Sequence, residues 1–143
     1  MPPIRNLRDA NFVYGLRNIE DAYKIREKSN TCKKVAILGA GLVGIDALVG
    51  LLENNKIKIN VIYREPFILN RQLDDYSASV YEDGFKNQGV KFYPNASVKE
   101  ICMDENKNVT GVLLEDETHI PCDMAIVATG VVPNASFIDS STI

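Results

Sequence analysis

The 143-residue sequence contains no tryptophan, a single histidine (His119) and three cysteines, Cys32, Cys102 and Cys122. The cysteines form no Cys-x-x-Cys pair, and none of them has the histidine as its neighbour. Zinc sites need several such ligands at short spacing, so we expect no metal site. An odd number of scattered cysteines favours three reduced thiols over a redox pair. We expect His119 to be structural rather than catalytic.

The sequence also has only a small excess of charge of one sign and few long apolar runs. The formal net charge of −3 offers no basic field to nucleic acid, so we expect no nucleic-acid partner. No apolar stretch approaches the ~20 residues of a membrane-spanning helix. The first five residues, MPPIR, lack the apolar core of a signal peptide. The sequence therefore predicts a cytoplasmic protein without a membrane partner.

The length and the 45% hydrophobic content are typical of one globular domain. Its most informative stretch begins with an apolar run at residues 35–38, which is typical of a buried parallel strand. The spacing Gly39-x-Gly41-x-x-Gly44 follows directly, and a helical pattern of apolar residues comes after it. A dinucleotide pyrophosphate requires this order of strand, glycine turn and helix.

Each glycine of that turn has its own predicted role. Gly39 permits the tight turn, Gly41 lets the backbone approach the phosphates, and Gly44 lets the helix pack closely against the strand. The backbone amides of Leu42 and Val43 are the expected donors to the pyrophosphate. A tight turn without a ligand is the alternative, but the flanking strand and helix favour the nucleotide.

Up to residue 95 the pattern alternates strands and helices. We predict an extended lead-in over residues 1–17 and a first helix that begins after Asn18. The other predicted elements up to that point are helices at 43–52 and 74–88 and strands at 58–63 and 90–93. Gly89 is the expected C-terminal glycine of the third helix.

From residue 96 the pattern changes to strands joined by tight turns. Residues 97–102, 109–114 and 118–122 predict a three-stranded antiparallel meander, and residues 123–130 predict a last buried parallel strand. The sequence therefore predicts an α/β fold, a Rossmann-like doubly wound parallel sheet with an inserted three-stranded antiparallel meander. We divide it into a lead-in segment with one helix, residues 1–33, and a nucleotide-binding domain, residues 34–143.

Taken in order, the glycine motif, the meander and residues 128–134 (ATGVVPN) resemble the NAD(P)H-binding domain of the FAD-dependent pyridine nucleotide–disulfide oxidoreductases. Residues 68–74 (ILNRQLD) are similar to the branch that contains NADH oxidase, rubredoxin reductase and nitrite reductase. Residues 15–22 (GLRNIEDA) match the stretch that precedes this domain in the family. The resemblance covers essentially the whole chain.

The resemblance implies a protein longer than 143 residues, because family members carry a separate FAD domain and an interface domain. It implies that this chain is the NAD(P)H-binding domain of a flavoenzyme, with FAD held by domains absent from the chain. In such an enzyme the nicotinamide C4 passes a hydride to the flavin N5, and the cofactors supply the chemistry. We expect the chain alone to bind the coenzyme and to catalyse little, and we assign no catalytic residue.

The resemblance also implies which residues surround the nicotinamide side of the coenzyme. Asp46, two positions after the third glycine, stands where the family has an acidic residue near the nicotinamide. The alternative is a carboxylate favoured by the helix dipole. Ala128, Thr129 and Gly130 imply a small-residue turn over which the cofactor passes, with an ordinary turn after a buried strand as the alternative.

The preference for one coenzyme depends on the end of the second strand, where NADH-preferring members place an acidic residue for the ribose hydroxyls. Tyr63 stands there instead and either stacks on adenine or packs in the protein, while Glu65 is a displaced ribose acceptor. Arg64 and Arg71 are suited to a 2′-phosphate, and Arg71 has a solvent-exposed charge as its alternative. We expect NADH, with NADPH as the alternative.

Two other functions fit parts of the pattern. A stand-alone dinucleotide-binding or redox-sensing module would have the same fold without catalysis. A Rossmann-type enzyme of another class, such as a short dehydrogenase or a methyltransferase, leaves the meander unexplained. The sequence also has no Tyr-x-x-x-Lys pair.

Overall fold

The computed structural model describes residues 3–131, so residues 132–134 of the predicted closing turn lie outside the described part. The strands are β1 Val13–Gly15, β2 Lys34–Leu38, β3 Lys58–Ile62, β4 Lys91–Tyr93, β5 Val98–Met103, β6 Val109–Leu114, β7 His119–Pro121 and β8 Met124–Val127. The helices are α1 Ile19–Ser29, α2 Leu42–Leu52 and α3 Asp75–Asn87. No helix within residues 3–131 is long and apolar enough to cross a membrane.

The strands form two sheets. The larger has the order β1-β8-β2-β3-β4, and each neighbouring pair is parallel. The smaller is the antiparallel meander β5-β6-β7. These two sheets confirm the predicted α/β fold and its inserted meander. Because β3 and β8 lie on opposite sides of β2, the strand order reverses at β2, and ligands of open α/β sheets bind at such a point.

Alternation along β2 divides the interior into two apolar clusters. Val35 and Ile37 pack with residues of all three helices, whereas Ala36 and Leu38 pack with residues of the antiparallel meander. The molecule is therefore layered as helices, parallel sheet and antiparallel sheet. The meander covers the sheet face on which other doubly wound folds carry a second layer of helices.

The lead-in segment takes a larger part in the fold than the sequence predicts. Residues 13–15 are not simply extended, because they form β1 and pair in parallel with β8. Ile4 belongs to the cluster under the meander, and the Arg5 amide donates to the Lys99 carbonyl at 3.1 Å. The two segments of our division thus share the parallel sheet and both apolar clusters.

Most element boundaries agree with the sequence to within one or two residues. The Asn18 side chain caps α1 by accepting from the Asp21 amide, which confirms the predicted N-cap. Gly89 follows α3 with φ of +90°, as expected for a C-terminal glycine. The last two strands are shorter than predicted, because residues 118 and 122 lie outside β7 and residues 128–130 lie outside β8.

Replacement of Gly50 by alanine is expected to stabilise the protein by up to about 1 kcal/mol. Gly50 is an exposed residue of α2, and a Cβ built there meets nothing within 4 Å. Alanine restricts the unfolded chain and favours the helix more than glycine does. Thermal unfolding should shift upward by roughly 3–5 °C. Gly84→Ala in α3 has the same open surroundings and should behave alike; a decrease at both positions would contradict the helical packing described here.

Candidate functional site

The loop between β2 and α2 uses its three glycines differently. Gly39 has φ of +113°, and a Cβ there would lie 2.2 Å from the Ala128 carbonyl oxygen. A Cβ on Gly44 would lie 2.1 Å from the Gly39 carbonyl oxygen. Close backbone packing therefore requires glycine at both positions. A Cβ on Gly41 would meet nothing within 4 Å, so protein packing does not account for glycine there.

The N-terminus of α2 differs from those of the other two helices. Asn18 caps α1 and Asp74 caps α3, because each side chain accepts a hydrogen bond from a backbone amide of its helix. Both helices also carry at least one acidic residue in the first turn. Helix α2 begins after Gly41 with no side-chain cap and no acidic residue in its first turn. Its positive dipole end is therefore left for another anion.

The first backbone hydrogen bond of α2 runs from the Ile45 amide to the Gly41 carbonyl at 3.0 Å. Among residues 3–131, no acceptor pairs with the amides of Leu42, Val43 or Gly44. Leu42 and Val43 are 58% and 36% exposed, so this end of the helix faces solvent. Orphan amides at a solvent-facing helix start are the usual donors to a phosphate.

Three loops meet at this edge of the parallel sheet. The Gly39 amide donates to the Ile62 carbonyl at 2.8 Å, and the Ala128 amide donates to the Leu38 carbonyl at 2.7 Å. The Leu69 amide donates to the Ala40 carbonyl at 2.8 Å. These bonds place the loops after β2, β3 and β8 side by side, at the point where the strand order reverses.

Thr129 and Gly130 are exposed beyond β8, and Gly130 has φ of +125° with nothing within 4 Å of a Cβ position. Ala128 is the member of this turn that contacts the glycine loop, since its Cβ lies 3.6 Å from a Cβ built on Gly44. The structure therefore brings the small-residue turn against the glycine turn.

A cleft of about 290 Å³ opens beside the start of α2. Its lining residues are Leu16, Arg17, Asn18, Val43 and Asp46. Asp46 is exposed there, on the α2 turn that faces the loop between β1 and α1. Sequence reasoning did not assign Leu16 or Arg17 to the site. Both residues lie in the stretch 15–22, which resembles the family. That resemblance indicated where the domain begins, but it did not indicate that these residues line a cleft.

A larger cleft, of about 480 Å³, lies at the opposite edge of the parallel sheet. It is lined by the first residues of β2 and β3 and by residues that precede them, with four lysines in the lining, namely Lys33, Lys34, Lys56 and Lys58. The glycine loop, the unpaired amides and the small-residue turn are all at the other edge. Size alone does not identify the site, and the smaller cleft is the one beside these groups.

The side chain of Tyr63 lies in the core and not at the surface of the site. It is 2% exposed, its hydroxyl donates to Glu82 Oε1 at 2.9 Å, and its ring meets Phe92 edge-on at 6.3 Å. Burial, and then the adjacent Glu82, raise the pKa of Tyr63. Of the two alternatives for Tyr63, the structure favours packing over adenine stacking.

Arg64, Glu65 and Arg71, by contrast, are all exposed in the loop between β3 and α3. The Glu65 carbonyl accepts from the Asn95 amide at 3.1 Å, and the Tyr63 carbonyl accepts from the Ala96 amide at 2.9 Å. Backbone bonds thus hold the start of this loop, and its charged side chains remain free to face a ligand.

The three cysteines are free; Cys32 and Cys122 are buried and Cys102 is half-buried. Burial, followed by the negative charge of Asp123, raises the pKa of the Cys122 thiol to about 12. The same two causes raise the pKa of Cys32 to about 11. Both thiols are therefore protonated and poorly nucleophilic near neutral pH.

These thiols predict a loss of stability at alkaline pH. An unfolded cysteine loses its proton near pH 9, whereas folded Cys122 keeps it up to about pH 12. Between those values the folded state binds more protons, so Cys122 lowers the unfolding free energy by about 1.4 kcal/mol per pH unit. Urea unfolding from pH 8 to 11 should show a shallower decline in Cys122→Ala than in the unmodified chain. Burial also raises the pKa of the half-buried Cys102, so Cys102→Ala is the comparison and should flatten the decline less than Cys122→Ala does; equal slopes in all three proteins would contradict the prediction.

Comparison with known proteins identifies the family. The model of the pyridine nucleotide-disulphide oxidoreductase family matches residues 1–143. Peroxisomal monodehydroascorbate reductase 4 of Arabidopsis thaliana is 32% identical over 133 residues, which cover 92% of this chain and 27% of the relative. The NAD(P)H nitrite reductase of Bacillus subtilis is 33% identical over 128 residues, which cover 90% of this chain and 16% of the relative.

Among solved structures, a ferredoxin reductase from Rhodopseudomonas palustris matches with a TM-score of 0.88 and 25% identity, covering 94% of this chain and 33% of that one. The chain thus spans less than a third of the length of the two curated relatives. The family model covers every residue, and the fold agrees with that of the reductase. The chain belongs to the pyridine nucleotide-disulphide oxidoreductase family.

Proposed function

We propose that this chain binds a nicotinamide dinucleotide and presents its nicotinamide ring to an FAD held elsewhere in a longer protein. The observation that carries the proposal is the start of α2. There, three backbone amides lack a partner among residues 3–131, and the space beside Gly41 is open. A pyrophosphate satisfies those amides and the helix dipole, and its close approach gives glycine a purpose at position 41.

We base the proposed orientation of the coenzyme on the order of the strands. Ribose recognition in this class of fold lies at the end of the strand after the glycine helix, which is β3. The adenosine therefore extends over the loop that carries Arg64, Glu65 and Arg71. The nicotinamide lies on the other side of the glycine loop, toward the cleft with Asp46 and the turn formed by residues 128–130. Backbone groups, not side chains, supply most contacts to the pyrophosphate.

The coenzyme in this proposal is NADH. The Glu65 carboxylate accepts hydrogen bonds from ribose hydroxyls and repels a 2′-phosphate, whereas Arg64 and Arg71 favour that phosphate.

Free thiols at all three cysteines fit a reducing compartment, which supports a cytoplasmic location as part of the proposal.

FAD supplies the second half of the chemistry, since the flavin accepts the hydride when the two cofactors meet. The residues of this chain bind and orient the coenzyme, and no residue among 3–131 is assigned a proton transfer. The hydride transfer therefore belongs to the longer protein, and coenzyme binding belongs to the chain itself.

Calorimetric titration of the chain with NADH and with NADPH in separate experiments tests the proposal. We expect saturable binding of NADH and weaker binding of NADPH. Absence of binding with both reduced coenzymes would reject the function, and a much tighter NADPH would reverse the coenzyme and assign the 2′-phosphate to Arg64 and Arg71.

Substitution of Glu65 by glutamine is expected to weaken NADH binding about tenfold. A hydrogen bond to a charged acceptor contributes about 1.5–3 kcal/mol, and glutamine removes the charge with little change of shape. NADPH binding should weaken less or improve, because the repulsion of its phosphate is also removed. Glu105→Gln, an equally exposed change in the turn between β5 and β6, is the control. Equal losses for both coenzymes would contradict a role in recognising the 2′ position.

A further inference from the structure

We infer that Glu82, a residue of α3 outside the site described above, is a positioning residue that holds the adenosine-binding loop in place. The inference rests on the proposed function, since it assumes that the loop between β3 and α3 contacts the adenosine. It adds a residue to that site that cannot itself contact the coenzyme, because its carboxylate is directed into the protein.

The carboxylate of Glu82 joins two points of the chain through one oxygen. Oε1 accepts from the Tyr63 hydroxyl at 2.9 Å and from the Ile68 backbone amide at 3.3 Å. The other oxygen, Oε2, lies 3.6 Å from Lys86 Nζ, one turn further along the helix. The Glu82 side chain is only 15% exposed, so these bonds are sheltered from water.

Those two points bracket the part of the loop that carries Arg64 and Glu65. Tyr63 comes directly before Arg64 and Glu65, and Ile68 closes the segment with a side chain that is 0% exposed. A single oxygen thus fixes both ends of residues 64–67, while the side chains of Arg64 and Glu65 remain exposed between them. Pro66 within the segment restricts its backbone further.

The anchoring continues from the loop to the glycine turn. Leu69, the residue after Ile68, has φ of +50° and donates its amide to the Ala40 carbonyl at 2.8 Å. Its own carbonyl accepts from the Gln72 and Leu73 amides at 2.8 and 2.9 Å. Glu82 is therefore connected through Ile68 and Leu69 to the residue before Gly41. A group that fixes this path preorganises the adenosine side relative to the pyrophosphate side.

The test compares substitutions that keep or remove the bridging oxygen. Glu82→Gln keeps an Oε1 acceptor and loses only the charge beside Lys86, so it should bind ADP-ribose within about twofold of the unmodified chain. Glu82→Leu removes both hydrogen bonds and should weaken ADP-ribose about tenfold, the factor that corresponds to 1.4 kcal/mol. Lys86→Ala, which removes only the ion pair, is the control and should resemble Glu82→Gln.

Glu82→Leu leaves the buried Tyr63 hydroxyl unpaired and can impair folding, so a second variant is needed. The double variant Tyr63→Phe/Glu82→Leu removes the buried hydroxyl together with its acceptor, which leaves only the Ile68 amide unpaired, so it should unfold closer to the unmodified protein than Glu82→Leu does. The loop is still released from Ile68, and the tenfold loss of ADP-ribose binding should persist. Normal binding in this folded double variant would overturn the inference.

Coupling to Glu65 separates positioning from a merely structural role. If Glu82 acts by holding Glu65, then Glu65→Gln should weaken NADH binding much less in the Tyr63→Phe/Glu82→Leu background than in the unmodified chain. If Glu65→Gln weakens NADH binding by the same factor in both backgrounds, the inference is overturned. Failure of the unmodified chain to bind either ADP-ribose or NADH would instead reject the proposed function, so the two failures are distinguishable.

Discussion

Replacement of Gly41 by aspartate is expected to strengthen helix α2 and to weaken coenzyme binding in the same molecule. Gly41 is the N-cap residue, with φ of −79° and ψ of −170°, an extended conformation that any residue adopts. A Cβ built there meets nothing within 4 Å. Aspartate is a better N-cap than glycine by a few tenths of a kcal/mol, so unfolding should shift slightly upward.

The same carboxylate would occupy the place that we propose for the pyrophosphate. It would accept hydrogen bonds from backbone amides of the first turn of α2. It would also add a negative charge beside the negative charge of the bound pyrophosphate. Like charges placed together at an interface cost several kcal/mol, so NADH should bind at least about tenfold more weakly. Stability and binding thus change in opposite directions, which general damage to the fold cannot produce.

Gly41→Asn is the matched control, because asparagine caps a helix about as well as aspartate without the charge. We expect the two variants to unfold alike, while asparagine weakens NADH less than aspartate does. The difference between them should shrink at high salt, since screening reduces the repulsion. An aspartate variant that binds NADH as tightly as the unmodified chain would place the pyrophosphate elsewhere.

The sequence predicts those parts of the fold that depend on local patterns. The apolar run before Gly39, the N-cap of α1, the C-terminal glycine of α3 and the alternating strands of the meander all carry their signals within a few residues. Strand β1 does not, because three half-buried residues become a strand only by pairing with β8, more than 100 residues later. Non-local pairing of so short a segment leaves no periodicity to read.

The site is predictable to a similar extent. The glycine spacing locates the loop, but it does not tell which glycine the protein packing requires; that depends on the carbonyl of Ala128, which lies almost 90 residues away. The inward direction of Tyr63 likewise depends on Glu82, 19 residues later and on another element. Spacing therefore predicts the place of a ligand, while contacts between distant residues decide which side chains can reach it.

Gly39→Ala is expected to destabilise the protein by at least about 2 kcal/mol, for two separate reasons. Its φ of +113° lies in a region that L side chains rarely adopt, which costs about 1–3 kcal/mol. Its Cβ would also lie 2.2 Å from the Ala128 carbonyl oxygen and 3.2 Å from the Thr129 nitrogen. Those atoms are backbone of the chain leaving β8, so relief requires β2 and β8 to shift apart at their carboxyl ends.

Gly89→Ala separates the two reasons, because Gly89 has a comparable φ of +90° but nothing within 4 Å of a Cβ position. Its loss of stability in urea unfolding measures the backbone strain alone, and the excess loss in Gly39→Ala measures the contact with β8. We expect the excess to exceed about 1 kcal/mol, the lower end of overpacking in a close-packed interior. Equal losses would mean that the glycine loop and the turn after β8 are further apart than described. That result would contradict the proposed binding of one coenzyme across both loops, because the proposed nicotinamide side of the site depends on the contact between them.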